Sequence, residues 1–462
     1  MENTVRKENK MGVLPIPKLL FQMSLPMMIS MLVQALYNVV DSVFVAMINE
    51  EALTAVSLVF PIQNLMIAIA VGTAVGVNAL LSRNLGEKDF ESANQAAKNG
   101  IFLSLVSFIV FAVFGTLFAG PFFHVQTGEG LIKEYGIQYM TVISVCSFGC
   151  FLQMMMDRLL QSTGRTLLTM FTQGTGAIVN LILDPILIFG LFGFPKLGVA
   201  GAAIATVAGQ ILAMCLGIYF NVKKNTEINI SMKKFRPSLT TIGKIYTVGL
   251  PTIIMQAIGS VMTFGFNKIL LMFTPTATAV FGVYFKLNSF VFMPVFGLNN
   301  GMVPIIAYNY GARNQKRILS TIKLSAITAV CLMFIGLAAF MFIPDLLLGL
   351  FSASPDMLAI GVPALRTICL SFLFAGYCIV ISSAFQALGN GVYSLIVSLC
   401  RQLLVLLPSA FLLAKLGGLN AVWWSFPIAE IASLIMSTFF FRKIYKTKIL
   451  SLGLPKTQEA EA

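Results

Sequence analysis

The triplet Ser24-Leu25-Pro26 returns in the second half of the chain as Gly249-Leu250-Pro251. At the same offset, Gly72, Gly76, Asn84 and Gly86 recur as Gly297, Gly301, Asn309 and Gly311. Further along, and with the offset still unchanged, Gln161-Ser162-Thr163-Gly164 faces Gln386-Ala387-Leu388-Gly389. The chain is therefore an internal duplication, and any fold it adopts must be built from two copies of one unit.

The unit is a membrane unit. Apolar residues make up 57% of the 462 positions and charged residues only 11%, against about 25% charge in a soluble domain. A span needs about 20 apolar helical residues to cross the hydrocarbon. Twelve stretches qualify: 17–46, 52–83, 98–123, 133–157, 165–193, 198–222, 239–272, 277–309, 318–348, 357–387, 392–416 and 419–444. They are numbered here as spans 1 to 12. Their unbroken apolarity excludes barrel strands, which are about 10 residues long and alternate in character. The expected fold is an all-α membrane protein, twelve transmembrane helices in two six-helix lobes. An even number of spans returns the chain to its starting side, so the lobes enter the membrane in the same orientation, as a parallel pseudo-twofold repeat. Two homologous bundles that rock around a shared central site are the usual plan of a secondary transporter.

The net charge of +13 serves orientation rather than nucleic-acid binding. With the N-terminus in the cytoplasm, 24 of the 31 Lys and Arg fall in the tails, the even-numbered loops and the span ends that adjoin them, and only Lys133, Lys196 and Lys415 fall in the opposite loops or the ends beside them. This positive-inside bias places both termini in the cytoplasm of a multi-pass plasma-membrane protein. The expected organisation is a cytoplasmic arm at 1–16, a first lobe at 17–222, a basic linker at 223–238, a second lobe at 239–444 and a disordered cytoplasmic tail at 445–462. No cleavable signal peptide is expected, because the arm is polar and the first apolar run is too long. The seven cysteines all lie in spans without a CxxC pair and read as small core residues. No segment is large enough for a soluble catalytic domain, and no GxxxxGK[ST] phosphate loop occurs, so ion coupling is the expected energy source and no cofactor or catalytic residue is assigned.

Of the 18 acidic residues, Asp41, Asp184 and Glu430 fall deep inside spans. A charge at the bilayer centre costs roughly 2.5–3.5 kcal/mol even on lenient scales, so it is kept where it is paired, solvated or protonated. Asp41 and Asp184 lie in the outer halves of spans 1 and 5, which run in the same direction, so they share a depth. Gln34, Asn38 and Asp41 follow i, i+4, i+7 spacing with Tyr37 beside them. Gln173, Asn180 and Asp184 share one face of span 5, and Pro185 cannot donate to the Leu181 carbonyl. Two carboxylates, amide oxygens and a loose carbonyl suit a proton or a small alkali cation such as sodium, to be held at Asp41, Asn180 and Asp184. Glu430 reads as a structural partner, with Arg401 a candidate cation.

The second half carries a polar stripe without the acid. Gln256, Ser260, Thr263 and Asn267 lie on one face of span 7, while Asp41 aligns with Phe266 and Asp184 with Ser409. Ion chemistry is thus expected in the first half, with Gln34, Tyr37, Asn38, Gln173, Gln256, Thr263, Asn267 and Lys286 as candidate cavity residues. Lys286 either lines that cavity or snorkels to an interface. Pro26 and Pro251 sit early in spans 1 and 7, as static kinks or as hinges.

These motifs resemble the multidrug and toxin extrusion (MATE) family. The resemblance rests on Ser-Leu-Pro opening span 1, Gly72-x-x-x-Gly76, and Ser82-Arg83-Asn84-Leu85-Gly86. It extends to Gln161-Ser162-Thr163-Gly164, to Asn180-Leu-Ile-Leu-Asp184-Pro185-Ile-Leu-Ile-Phe-Gly190, and to Val303-Pro304-Ile-Ile-Ala-Tyr308-Asn309-Tyr310-Gly311. It covers about residues 15–445. With its embedded acids at Asp41 and Asp184, the chain is most similar to the MepA-like and DinF-like branches. The NorM-like branch carries acids in helices 7 and 10, where this chain has Gln256 and Ser371. The resemblance implies a monomeric antiporter that exports organic, mostly cationic compounds and drugs in exchange for protons or sodium ions by alternating access. Two lobes would form a V around a midplane cavity. A lipid-linked oligosaccharide flippase of the same superfamily is the competing expectation. It would need several basic cavity residues, and only Lys268 and Lys286 could serve. Neither the repeated pore loop of a channel nor the nucleophile–base pair of a hydrolase is found.

Overall fold

The computed structural model describes residues 8–127, 130–233, 235–351 and 353–453. The expected arm at 1–16 and tail at 445–462 therefore fall outside the described residues at 1–7 and 454–462. The beginning of the tail is helical, as a π turn at Tyr445–Ile449 and a 3-10 turn at Leu450–Gly453. It continues the twelfth span, where a disordered segment was expected.

The first six spans are α1 (Ile16–Ala46), α2 (Glu50–Gly86), α3 (Phe90–Thr127), α4 (Leu131–Val145 with Phe148–Ser162), α5 (Thr166–Phe189) and α6 (Val199–Lys223). The second six are α7 (Leu239–Leu271), α8 (Pro275–Gly311), α9 (Gln315–Phe342), α10 (Pro355–Ala387), α11 (Gly391–Val422) and α12 (Ser425–Ile444). Ten are long and apolar enough to cross a membrane, and the two parts of α4, bent by 44°, make an eleventh. At 20 residues α12 is long enough for the twelfth, though Glu430, Arg442 and Lys443 interrupt its apolar run. No strand occurs among the described residues. Among the described residues the chain is an all-α membrane protein whose twelve long helices form two repeated sets of six.

The repeat holds at the level of individual atoms. Asn49 caps α2 through Ala52 N at 2.7 Å, and its repeat equivalent Thr274 caps α8 through Thr276 N at 3.2 Å. The turns after α2 and α8 place Lys88 (φ 61°) and Arg313 (φ 57°) in the left-handed region. Each turn is closed by an amide that donates to an asparagine carbonyl at 2.9 Å, Asp89 to Asn84 and Asn314 to Asn309. After α4 and α10, Gly164 (φ 83°) and Gly389 (φ 77°) take up the same backbone shape, which glycine adopts without a Cβ penalty.

The compact units do not divide at the linker 223–238. One comprises Ile29–Ile253, and the other Met1–Met28 with Ile254–Ala462. The dividing residues Met28 and Ile253 are repeat equivalents, each two positions after the prolines Pro26 and Pro251. The opening turns of α1 thus belong with the second set of helices, and those of α7 with the first. Glycine accounts for this. A Cβ at Gly76 of α2 would collide with the Ile245 carbonyl of α7, and one at Gly301 of α8 would collide with Ser24 of α1. Both helices use a Gly-x-x-x-Gly face, the small-residue surface that lets membrane helices approach backbone to backbone. Ser24 Oγ adds a bond to the Leu298 carbonyl at 3.2 Å.

In the second unit the chain before α1 is also fixed. Arg317 Nη2 donates to the Met11 and Leu14 carbonyls at 2.9 and 2.7 Å, and Asn309 Nδ2 donates to Met11 O at 3.0 Å.

Candidate ion-coupling site

The site grows from the unusual amphipathicity of α5. Its buried positions up to Asp184 are Thr166, Thr169, Thr172, Gly176, Asn180 and Asp184. Its large apolar residues Leu167, Phe171, Ile178 and Ile182 are more than half exposed. In water such a helix would be inside out. In a bilayer the apolar surface meets lipid and the polar stripe is enclosed by protein.

At the C-terminal end of this stripe, Asp184 is fully buried and Asn180 is 4% exposed. Asn180 Nδ2 donates to Asp184 Oδ1 at 3.4 Å and approaches Thr206 Oγ1 of α6 at 3.3 Å. The Asp41 carboxyl of α1 interacts directly with that of Asp184. Tyr37, one turn earlier on α1, hydrogen-bonds Gln34 and stands close to Asp41. Tyr139 of α4 is buried near both acids, and Gln63 Nε2 of α2 donates to its hydroxyl at 3.5 Å. Asp41 also lines a partly open cavity of about 220 Å³, with Ser42, Ser57 and Phe60 among its walls.

Three buried oxygens here lack a hydrogen-bond donor: Asp41 Oδ1, Asn180 Oδ1 and Asp184 Oδ2. A buried acceptor without a donor costs about 1–3 kcal/mol, and more for a charged group. Three on adjoining residues form an oxygen set that a proton or a small hard cation would satisfy. Among the described residues no group of three or more His, Cys, Asp or Glu is arranged to hold a metal ion.

Other sequence candidates fall elsewhere. Gln173 donates from Nε2 to Asp157 Oδ2 at 3.1 Å, so its side chain is engaged away from Asn180. Asn38 is exposed. On α7, Gln256 is exposed, Thr263 Oγ1 bonds back to Gly259 O at 2.9 Å, and Asn267 Oδ1 is buried without a partner. Lys286 is exposed, with Nζ 5.8 Å from the centre of the Phe351 ring. Pro26 and Pro251 are buried inside unbroken helices. The expected partnership of Glu430 is present: Arg401 Nη1 lies 3.2 Å from Glu430 Oε2, and Arg401 sits in a π-helical segment, Cys400–Leu406.

Sequence reasoning missed Thr206, Tyr139 and Gln63, which are ordinary polar residues brought in by α6, α4 and α2. It also missed Asp157, because span 4 was ended there. The helix runs on to Ser162, which places the acid inside.

In the second unit the position equivalent to Asp41 is Phe266, fully buried in an aromatic cluster. Its ring lies 4.6 Å from Phe281, 5.1 Å from Phe426 and 6.0 Å from Trp423. Ser409, equivalent to Asp184, donates its hydroxyl to the Leu406 carbonyl at 3.0 Å. One half thus carries two acids where the other carries a packed ring and a serine.

Duplicated six-helix sets, one of which carries a contacting pair of carboxyls at Asp41 and Asp184, define the class, a multi-span membrane transporter. The MatE family profile matches residues 26–186 and 251–412, one match to each half, and the chain belongs to this family. A multidrug export protein MepA of Staphylococcus haemolyticus is 27% identical over 423 residues, 91% of this chain and 92% of its own. A protein named FAD transporter from Shewanella oneidensis is 27% identical over 437 residues, 93% of this chain and 95% of its own. Among solved structures, the outward-facing conformation of a multidrug resistance MATE family transporter of the MOP superfamily matches with TM-score 0.90. It is 26% identical, over 98% of this chain and all of that one.

Proposed function

We propose that the chain is a multidrug efflux antiporter of the plasma membrane, with both termini cytoplasmic, that exchanges protons or sodium ions for organic, mostly cationic compounds. The observation that carries this reading is the oxygen set of buried Asn180 and Asp184 with half-buried Asp41, in one unit and with one buried oxygen unsatisfied on each. Carboxylates that hold a proton or sodium ion no longer attract an organic cation as strongly, so each ligand lowers the affinity for the other, and that reciprocity is the coupling. Tyr37 and Gln34 adjoin the acids, and Asn38, Gln173, Gln256, Thr263, Asn267 and Lys286 remain candidates for substrate contact. Pro26 and Pro251, two residues from the exchange points between units, suit a hinge role in alternating access. The chain acts as a monomer, as a transporter rather than an enzyme, and without a cofactor.

The relative named FAD transporter makes flavin adenine dinucleotide a second substrate class. The acidic character of the site opposes a multiply anionic substrate, and it equally opposes the pyrophosphate of an oligosaccharide lipid. The test is transport by the purified chain in proteoliposomes under imposed pH or sodium gradients, with ethidium and FAD as separate probes. Gradient-driven ethidium export supports the reading, and FAD export without ethidium export overturns it.

A further inference from the structure

The intramembrane acids comprise more than the Asp41–Asp184 pair. Asp157, on the second part of α4, is 3% exposed. Thr172 Oγ1 donates to its Oδ1 at 2.5 Å and Gln173 Nε2 to its Oδ2 at 3.1 Å. The ionisable side chain acting on it is its neighbour Arg158, whose Nη1 reaches Gln161 Oε1 at 3.0 Å. Around this part of α4, α2 offers Asn78 and Ser82, α3 Gly100, α6 Asn221, and α5 Thr169, Thr172 and Gln173.

Two observations set Asp157 apart from an acid that merely holds helices together. The first is the internal repeat. Thr169 Oγ1 donates to the Asp157 carbonyl at 3.3 Å, and at the equivalent positions of the second half Ser394 Oγ donates to the Ser382 carbonyl at 2.7 Å. The crossing of α4 with α5 and that of α10 with α11 thus keep the same side-chain-to-backbone bond. Yet the position of Asp157 is Ser382 in the second half, and that of Thr172 is Val397. The crossing forms without the acid.

The second observation is the Thr172 hydroxyl, which has two acceptors in reach, Asp157 Oδ1 at 2.5 Å and the Thr169 carbonyl at 2.8 Å. With Asp157 ionised, the hydroxyl donates to the carboxylate. With Asp157 protonated, the acid O–H donates to Thr172 Oγ1 and the hydroxyl proton turns to Thr169 O. Both protonation states are fully bonded, and they differ by one hydroxyl rotation. Both carboxylate oxygens already accept from donors, so unlike Asp41 and Asp184 this acid offers no bare oxygen to sodium.

Resting on the antiport reading above, we propose that Asp157 is a second proton-carrying residue of the transport cycle, the station from which the coupling proton leaves toward the side bearing the N-terminus. Thr172 and Gln173 are its positioning residues. Gln173 lies 11 residues before Asp184 on α5, about 17 Å along the axis. Asp184 gives up one proton, solvent along α5 conveys it, and the Asp157 carboxylate takes up one proton and then releases it to water.

The test compares wild type with Asp157→Asn, Asp157→Glu and Thr172→Val in proteoliposomes. Ethidium export under a pH gradient is measured beside ethidium–ethidium exchange at equal pH, which moves no net proton. Asp157→Asn keeps an acceptor for Thr172 and is expected to lose at least tenfold in gradient-driven export while exchange stays within twofold. Asp157→Glu restores a substantial part, and Thr172→Val shifts the pH profile of export. Equal losses in both assays, or no loss in either, overturn the proposal. Infrared difference spectra decide the point independently of transport. One protonated-carboxyl band that titrates in wild type is expected to vanish in Asp157→Asn, and an unchanged set of bands overturns the proposal. Wild-type protein that shows this band but no pH-driven export would count against the antiport reading instead.

Discussion

Asn180 and Asp184 stand one turn apart on α5, and the amide Nδ2 of the first donates to Oδ1 of the second at 3.4 Å. The amide's donor side is engaged by Asp184 and Thr206, which leaves its buried Oδ1 beside the bare oxygens of the two acids. Asn180→Leu should therefore remove one ligand and one orienting bond together. Export under the driving gradient is expected to fall at least tenfold in proteoliposomes. Thr206→Ala, which removes only a second support, should fall less.

Close approach at Gly301 predicts a stability effect away from the site. A Cβ there meets Ser24, with Ser24 backbone atoms at 2.7 Å. Gly301→Val should destabilise the protein by about 1–3 kcal/mol through overpacking, read as a lower melting temperature in detergent. The repeat equivalent Gly76→Val, which meets the Ile245 carbonyl, should behave alike.

The Arg317 clamp predicts a local effect. Arg317→Ala leaves the Met11 carbonyl with only its Asn309 donor and removes the Arg317 bond to Leu14 O. Limited proteolysis is expected to cut the segment before α1 faster, with little change in overall melting. Arg317→Lys should rescue poorly, because a single ammonium cannot reproduce the planar fork that reaches Met11, Leu14 and Asn309.

For the Arg401–Glu430 pair, Arg401→Met should cost about 2–3 kcal/mol, discounted from the fully buried case because the Arg401 side chain is 33% exposed. The double variant Arg401→Met with Glu430→Leu should recover most of that loss, because neither partner is then left charged and alone. Thermal melting of the single and double variants checks this.

Much of this architecture is legible in residues, and the limits of that legibility are physical. The duplication, the twelve spans and the shared depth of Asp41 and Asp184 follow from spacing, because membrane helices must be long and apolar and their rare acids stand out. The exchange of the opening turns of α1 and α7 between units was not legible. It depends on how closely Gly76 and Gly301 let backbones approach, and a glycine in a sequence does not name its neighbour. Asp157 escaped because span 4 was ended at it and because its partners, Thr172 and Gln173, arrive from another helix. Gln173 fits the periodic face of Asn180 and Asp184, yet its donor goes to Asp157. Periodicity gives the face of a residue but not the reach of a long side chain.

The most direct measurement is gradient-driven export by the purified chain in proteoliposomes, wild type against Asp41→Asn and Asp184→Asn. Each substitution keeps the size of the side chain and removes its ability to ionise. Both variants are expected to insert and melt as wild type does, and to lose at least tenfold in ethidium export under pH and sodium gradients alike. Undiminished export by both would contradict the assignment of these two acids as the seat of ion coupling.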